Sequence, residues 1–301
     1  MVHDFSYQKF ARTPNEKPAS PVAVVTGASG GIGRYIALGL ARTGYRLVLI
    51  CRDPARAQAT REWISDAVPN SFTEPRIADL SLLAATHAIG SEIAASHPRI
   101  ALLINNAGVF EAKPVMTAEG FDRVLAVNLL SPFVLTRALL PSLLAGSPSR
   151  IVNVGSSTSD RAHIDPDHLV LGERWTMVRA YGQSKLALLM TTFALANRLS
   201  GTGVVANVVH PGLVATGLVR SGGIIGLVWR GLAAFALTEE QGAETPLHAA
   251  LAPEFATISG VYLKNRRSVP PNPQARDPVL RERVWTATEA LAAVVPSARP
   301  F

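Results

Sequence analysis

The chain has 301 residues, 48% of them hydrophobic, and carries 29 basic against 22 acidic side chains for a net charge of +7. That length fits one large α/β domain, and the apolar content excludes a disordered chain. The basic residues are scattered, which argues against a nucleic-acid footprint. The single cysteine, Cys51, excludes an internal disulfide framework and a thiolate metal cluster.

Residues 1–20 are polar, have no apolar core of a secretory signal, and are expected to form a flexible N-terminal arm. From residue 21 onward, strand-like and helix-like runs alternate. Strands are expected at Pro21–Thr26, Tyr45–Cys51, Ser71–Asp79, Ile100–Ile104, Ile151–Val154, Val204–Val209 and Gly260–Leu263. Between them, helical patterns cover Ile32–Arg42, a stretch after Pro54, Leu82–Ser96, Thr117–Leu144, Ala180–Leu199 and Glu239–Leu251. Alternation of this kind means βαβ units, and the near-continuous apolar strands imply a parallel sheet covered on both faces. No linker divides the chain, so residues 21–301 are expected to form a single catalytic domain. A helical pattern near Leu280–Val294 belongs to a C-terminal extension over 272–301 that packs back on it. The apolar stretch Gly222–Leu237 is short for a membrane span and is interrupted by Arg230. It reads as part of a lid over 213–238, with peripheral membrane contact as an alternative role. A cytoplasmic location is expected, and no transmembrane span.

The turn Thr26-Gly27-Ala28-Ser29-Gly30-Gly31-Ile32-Gly33 lies between the first strand and the first helix. Glycine there lets the backbone approach a pyrophosphate, and the helix N-terminus adds free N–H groups and partial positive charge. In this context Gly27, Ser29, Gly31, Ile32 and Gly33 are candidate dinucleotide contacts, and the fold class is a doubly wound, Rossmann-type parallel sheet of about seven strands with helices on both faces. NAD-binding units place an acid at the end of the second strand to hold the ribose 2′-hydroxyl. Cys51 stands at that point and Arg52 follows it. Arginine suits a 2′-phosphate, so NADP(H) is favoured over NAD(H). Asp53 either serves a free ribose or caps the helix that begins at Pro54.

Tyr181 and Lys185 share a helix face by their spacing of four. A nearby ammonium would favour the phenolate and bring Tyr181 towards proton exchange near neutral pH. Ser156 follows the fifth strand, where ligands of open parallel sheets lie, and its hydroxyl can hold a substrate oxygen against Tyr181. Ser157 is the alternative register. The seven histidines show no metal-ligand spacing, so no metal is expected, and no Gly-x-Ser-x-Gly elbow supports a serine hydrolase.

Thr26-Gly-x-x-x-Gly-x-Gly33, Asn105-Asn106-Ala107-Gly108, Asn153-Val154-Gly155-Ser156 and Tyr181-x-x-x-Lys185, in this order, resemble the short-chain dehydrogenase/reductase family over roughly residues 21–265. Cys51-Arg52-Asp53, the long Ser156–Tyr181 interval and the tail from Arg276-Asp277 to Trp285 are most similar to its retinol-dehydrogenase-like branch. The resemblance implies roles residue by residue. Tyr181 is the acid/base group and Ser156 orients the substrate oxygen. Lys185 holds the nicotinamide ribose, and Asn128 supports a proton-relay water. Asn105, Asn106, Ala107 and Gly108 line the adenosine side and steady the sheet. Asp79 and Leu80 bind the adenine. Pro211 and Gly212 lie near the nicotinamide, with Thr216 reaching its carboxamide. It also implies a dimer or tetramer. The insert Asp160–Arg179 and the lid carry substrate identity, and their apolar content points to a lipophilic carbonyl or alcohol. Two rival readings use the same scaffold: an NADP-dependent reductase of a carbon–carbon double bond, and a non-catalytic dinucleotide sensor.

Overall fold

The computed structural model describes residues 20–214 and 237–293. Its strands are β1 (Val22–Thr26), β2 (Arg46–Cys51), β3 (Thr73–Ile77), β4 (Leu102–Asn105), β5 (Ser149–Val154), β6 (Val204–His210), β7 (Tyr262–Lys264) and β8 (Arg267–Val269). They form one sheet in the order β3-β2-β1-β4-β5-β6-β7-β8, parallel throughout except for the antiparallel β7–β8 pair. The order reverses between β1 and β4, which opens a crevice beyond the carboxyl ends of these strands.

The doubly wound class holds, with eight strands in place of about seven. The additional strand, β8, returns from β7 through Asn265 and Arg266, both at positive φ (47° and 63°). Two such residues suit the twist of a two-residue hairpin. Asn-Arg is a weaker hairpin signal than Asn-Gly, and a strand of three exposed or half-buried residues leaves little pattern to read. At the other edge, β3 stops at Ile77, so Asp79 stands in the loop beyond the strand rather than at its end.

The helices are α1 (Gly31–Arg42), α2 (Pro54–Ala67), α3 (Leu83–Ser96), α4 (Arg123–Ala145), α5 (Met177–Arg198), α6 (Glu239–Leu251) and α7 (Pro278–Ala292), the last preceded by a single turn at Pro273–Arg276. They divide between the two faces of the sheet. Helices α3, α4, α5 and α7 enclose one apolar core that contains Leu103, Leu129, Val134, Leu186 and Trp285. Helices α1, α2 and α6 enclose the other, with Ile36, Leu40, Leu49, Ile64 and Ala249. Among the described residues, α4 is the one helix long and apolar enough to cross a membrane, and it lies in the core, 78% buried. Of the lid expected over 213–238, residues 215–236 lie outside the described residues. Its ends are joined where Val214 pairs with Leu237 and the Leu237 N–H reaches the Leu213 carbonyl at 2.7 Å.

Candidate active site

The glycine-rich turn leaves β1 and enters α1 at the crevice. Gly27 has φ +64°, a left-handed conformation in which a side chain would be strained. A Cβ at Gly33 would come within 2.2 Å of the Gly27 carbonyl oxygen and 2.5 Å of Asn106 Nδ2. The helix can therefore pack against the turn only because position 33 has no side chain. Gly31 begins α1 with no acidic residue in its first turn, so the partial positive charge there is unopposed by a local carboxylate. Ile32 and Ser29 are half-buried beside it. This backbone cradle fits a pyrophosphate.

At the ribose end, Arg52 is exposed just after β2. Asp53 is committed as the cap of α2: its carboxylate accepts the Arg56 N–H at 3.1 Å. Cys51 is buried, and its thiol is pushed up in pKa chiefly by burial, with Ser29 opposing. Asp79 accepts from the Ser81 N–H at 3.0 Å and shapes the loop after β3. The Leu80 side chain is part of the core, 8% exposed, so a contact with adenine is left to its backbone.

The Asn105–Gly108 run splits in two. Asn105 is buried and donates to Asn153 Oδ1 at 2.8 Å and Thr136 Oγ1 at 3.2 Å. It steadies the sheet and does not line an adenosine site; the last residue of β4 points its side chain between layers. Asn106 instead holds the turn, with its Nδ2 donating to the carbonyls of Thr26 at 3.0 Å and Gly27 at 3.3 Å. The Thr26 hydroxyl accepts from the N–H groups of Asn106 (3.0 Å) and Ala107 (2.9 Å). Gly108 lies beside the catalytic candidates, since a Cβ there would be 3.4 Å from Asn128 Oδ1 and 3.5 Å from Lys185 Nζ.

The Ser156 side chain, and not that of Ser157, acts on the Tyr181 phenol. The Ser157 side chain is exposed, and its N–H donates to His210 Nδ1 at 3.2 Å. Burial pushes the Tyr181 phenol above its ordinary range, with the Ser156 hydrogen bond opposing. This departs from the expected lowering by Lys185. The Lys185 ammonium is buried, 4% exposed, and donates to the Val154 carbonyl at 2.8 Å. Desolvation brings its pKa down to about 8. Phe110 meets the Tyr181 ring edge-on at 4.9 Å, and Val109, Leu171 and Trp175 pack in the same cluster.

Asn128 is fully buried within Ala126–Leu130, where α4 widens into a π-helical turn. Pro132, four residues on, has no N–H for the Asn128 carbonyl, which explains why α-helical bonding fails there. The Asn128 amide binds Val109 in both directions, at 2.9 and 3.0 Å, and donates to Ser184 Oγ at 3.2 Å. Pro211 and Gly212 follow β6, with Gly212 at φ +93° against Leu237. Thr216 lies outside the described residues. His168 is paired with Asp165 at 2.6 Å, and no group of three metal-ligating side chains occurs among the described residues.

A set of residues without a local signal in the sequence holds the Ser156 loop. The Tyr262 hydroxyl donates to the Ser156 carbonyl at 3.2 Å, and Lys264 pairs with Asp160. Asn272 Nδ2 donates to the carbonyls of Ser159, Asp160 and Ala162 at 2.9 to 3.2 Å. No local pattern marks them, because each acts across about 100 residues or more of chain.

The short chain dehydrogenase family model matches residues 21–223. Retinol dehydrogenase 12 of Homo sapiens is 38% identical over 267 residues, covering 89% of this chain and 84% of that protein. Among solved structures, a putative uncharacterized protein from Mycobacterium Paratuberculosis has a TM-score of 0.74 at 27% identity, covering 91% of this chain and 94% of that one. A short chain dehydrogenase from Burkholderia cenocepacia in complex with NADP has a TM-score of 0.66 at 27% identity, covering 81% of this chain and 95% of that one. With its sheet order, glycine turn and Ser156–Tyr181 pair, the chain belongs to the short-chain dehydrogenase/reductase family, on its retinol-dehydrogenase-like branch, and is an oxidoreductase that acts on an alcohol or carbonyl with a nicotinamide dinucleotide.

Proposed function

We propose that this chain is an NADP(H)-dependent oxidoreductase for the carbonyl or alcohol group of a lipophilic small molecule. The observation that carries the reading is the Ser156 side chain acting on the Tyr181 phenol, one helical turn from Lys185. The dinucleotide's backbone would rest on the Gly27–Gly33 turn, its adenine near Asp79 and Leu80, and its ribose 2′-phosphate at Arg52. Asn106, Ala107, Gly108, Pro211 and Gly212 would border the rest of it.

When bound, the nicotinamide supplies or takes the hydride. The chain's own work is to place an oxygen and move a proton. Ser156 Oγ donates to the substrate oxygen and holds it at Tyr181 Oη. In reduction Tyr181 gives that oxygen a proton; in oxidation it takes the hydroxyl proton. The unliganded phenol is raised in pKa, so it is protonated and ready as an acid at neutral pH. Lys185 and Asn128 stand beside Gly108, where they would fix the nicotinamide ribose and a relay water.

Lipophilic substrate is supported by what surrounds Tyr181. Phe110, Val109, Leu171 and Trp175 are its neighbours. A screen of long-chain aldehydes, ketones and retinoids with NADPH and NADH tests the reading, with Tyr181→Phe as control. The wild type should reduce apolar carbonyls faster than short polar ones. Tyr181→Phe should lose at least about a thousandfold in kcat while cofactor Kd stays within a few-fold. Near-full activity of the variant would remove Tyr181 from the chemistry.

A further inference from the structure

The two groups that act on the substrate oxygen belong to different elements. Ser156 follows β5, and Tyr181 lies near the start of α5. Their relative position depends on what holds the loop between them. Ser156 itself is fixed through its carbonyl. That oxygen accepts from the Ser159 N–H at 3.1 Å, the Ser159 hydroxyl at 2.7 Å and the Tyr262 hydroxyl at 3.2 Å. A peptide plane held from three directions fixes the Cα–Cβ bond, and a staggered rotamer then places Oγ.

The next turn of the loop is held by one side chain from far along the sequence. Asn272 is 6% exposed, and its Nδ2 donates to the carbonyls of Ser159 and Ala162 at 2.9 Å and of Asp160 at 3.2 Å. Its Oδ1 accepts from the Gln274 N–H at 2.9 Å, which settles which way round the amide lies. Gln274 extends the grip, since its Nε2 donates to the Ile164 carbonyl at 3.0 Å and its Oε1 accepts the Ile164 N–H at 2.9 Å. Ser159 is the link: its carbonyl takes the Asn272 amide, and its N–H and hydroxyl hold Ser156.

The loop so held is seated on α5 beside the tyrosine. Gly182 is buried, and a Cβ there would stand 3.2 Å from Ala162 Cβ and 3.7 Å from the Thr158 carbonyl oxygen. The stretch that Asn272 grips therefore touches the helix one residue past Tyr181. We infer that Asn272 is a positioning residue for the reaction, whose amide sets where Ser156 Oγ stands relative to the Tyr181 phenol. The inference rests on the reading of Ser156 and Tyr181 above. The residue type supports it. Asn272 also caps the turn Pro273–Arg276, a task that aspartate performs equally well. Three carbonyls need an N–H donor, which aspartate lacks. The loop, and not the cap, selects the amide.

The test uses Asn272→Asp, which keeps size and cap and removes the donor. Asn272→Ser, a neutral cap with a single short donor, is measured alongside, so that loss of fold in one variant does not decide the result. Each is made in the full chain in wild-type and Ser156→Ala backgrounds. Single-turnover rates are followed with NADPH and a long-chain aldehyde, and NADPH is titrated by fluorescence. In the wild-type background the rate should fall about tenfold to a hundredfold, with NADPH Kd within about twofold. In the Ser156→Ala background the same substitution should lower the rate by less than about threefold, because Ser156 Oγ no longer has a place to lose. Equal loss in both backgrounds, an unchanged rate in a folded variant, or a fall in NADPH affinity that accounts for the loss would each overturn the inference. Full activity of Ser156→Ala alone would instead fail the reading of the site, and the inference with it.

Discussion

His210 shows how one side chain couples the crevice to pH. It ends β6 opposite Lys264 in β7 and receives the Ser157 N–H on Nδ1, so in its neutral form the ring proton sits on Nε2. Burial, then the Lys264 ammonium, brings its pKa down to about 4, with Asp160 opposing. The unfolded value is near 6.5, so between the two the unfolded chain binds more protons and stability rises with pH. The contribution is complete above the unfolded value and is lost as pH falls through the folded one. Its upper bound is about 3 kcal/mol, less what solvent screening removes from a half-buried group. His210→Asn keeps an acceptor for Ser157. Its Tm should fall less steeply than that of wild type between pH 6.5 and 4; parallel Tm curves would show that His210 is not the sensitive group. Tyr181 and Lys185 illustrate a different lesson at this scale. Their spacing of four places them on one face, but burial and the Val154 carbonyl, not their mutual charge, set the unliganded state.

At the scale of elements, the layers beneath the site are tied by a buried polar chain. Asn105 in β4 bonds Asn153, its register partner in β5, and Thr136 in α4. Asn153 in turn donates to Thr192 of α5 at 2.7 Å. Asn153→Ala would leave Asn105 and Thr192 each short of one buried partner. It should cost about 2–3 kcal/mol in urea unfolding. A loss under about 1 kcal/mol would mean that the strands and helices are held in place by apolar packing alone. The start of α3 shows why such ties escape a reading of local pattern. Its N-cap position is Leu82, which has no capping group, and Glu119 supplies the acceptor for the N–H groups of Leu83 (2.6 Å) and Ala84 (2.9 Å).

For the molecule as a whole, the C-terminal helix closes the core instead of hanging from it. Trp285 of α7 is 3% exposed, edge-on to Phe133 of α4 at 4.9 Å, with the Arg198 guanidinium 4.1 Å from its ring. The Ser156 loop depends on the same end of the chain, through Tyr262, Lys264 and Asn272. Trp285→Ala should therefore destabilise by about 3–5 kcal/mol and lower Tm by several degrees. If thermal melts of variant and wild type coincided, α7 would be an appendage and not part of the domain.

The sequence by itself determined what depends on short range. Period and turn chemistry specified the parallel sheet, the glycine turn and seven of the eight strands, and motif order singled out Ser156, Tyr181 and Lys185 as candidates. Tertiary structure decided what depends on pairs far apart in the chain. It turned Asn105 into the sheet and sent the Leu80 side chain into the core. It also brought Tyr262 and Asn272 onto the Ser156 loop. The physical reason is that hydrophobic period and backbone conformation are properties of neighbours in sequence. Desolvation and hydrogen-bond partners belong to neighbours in space, and these exist only once the layers have packed.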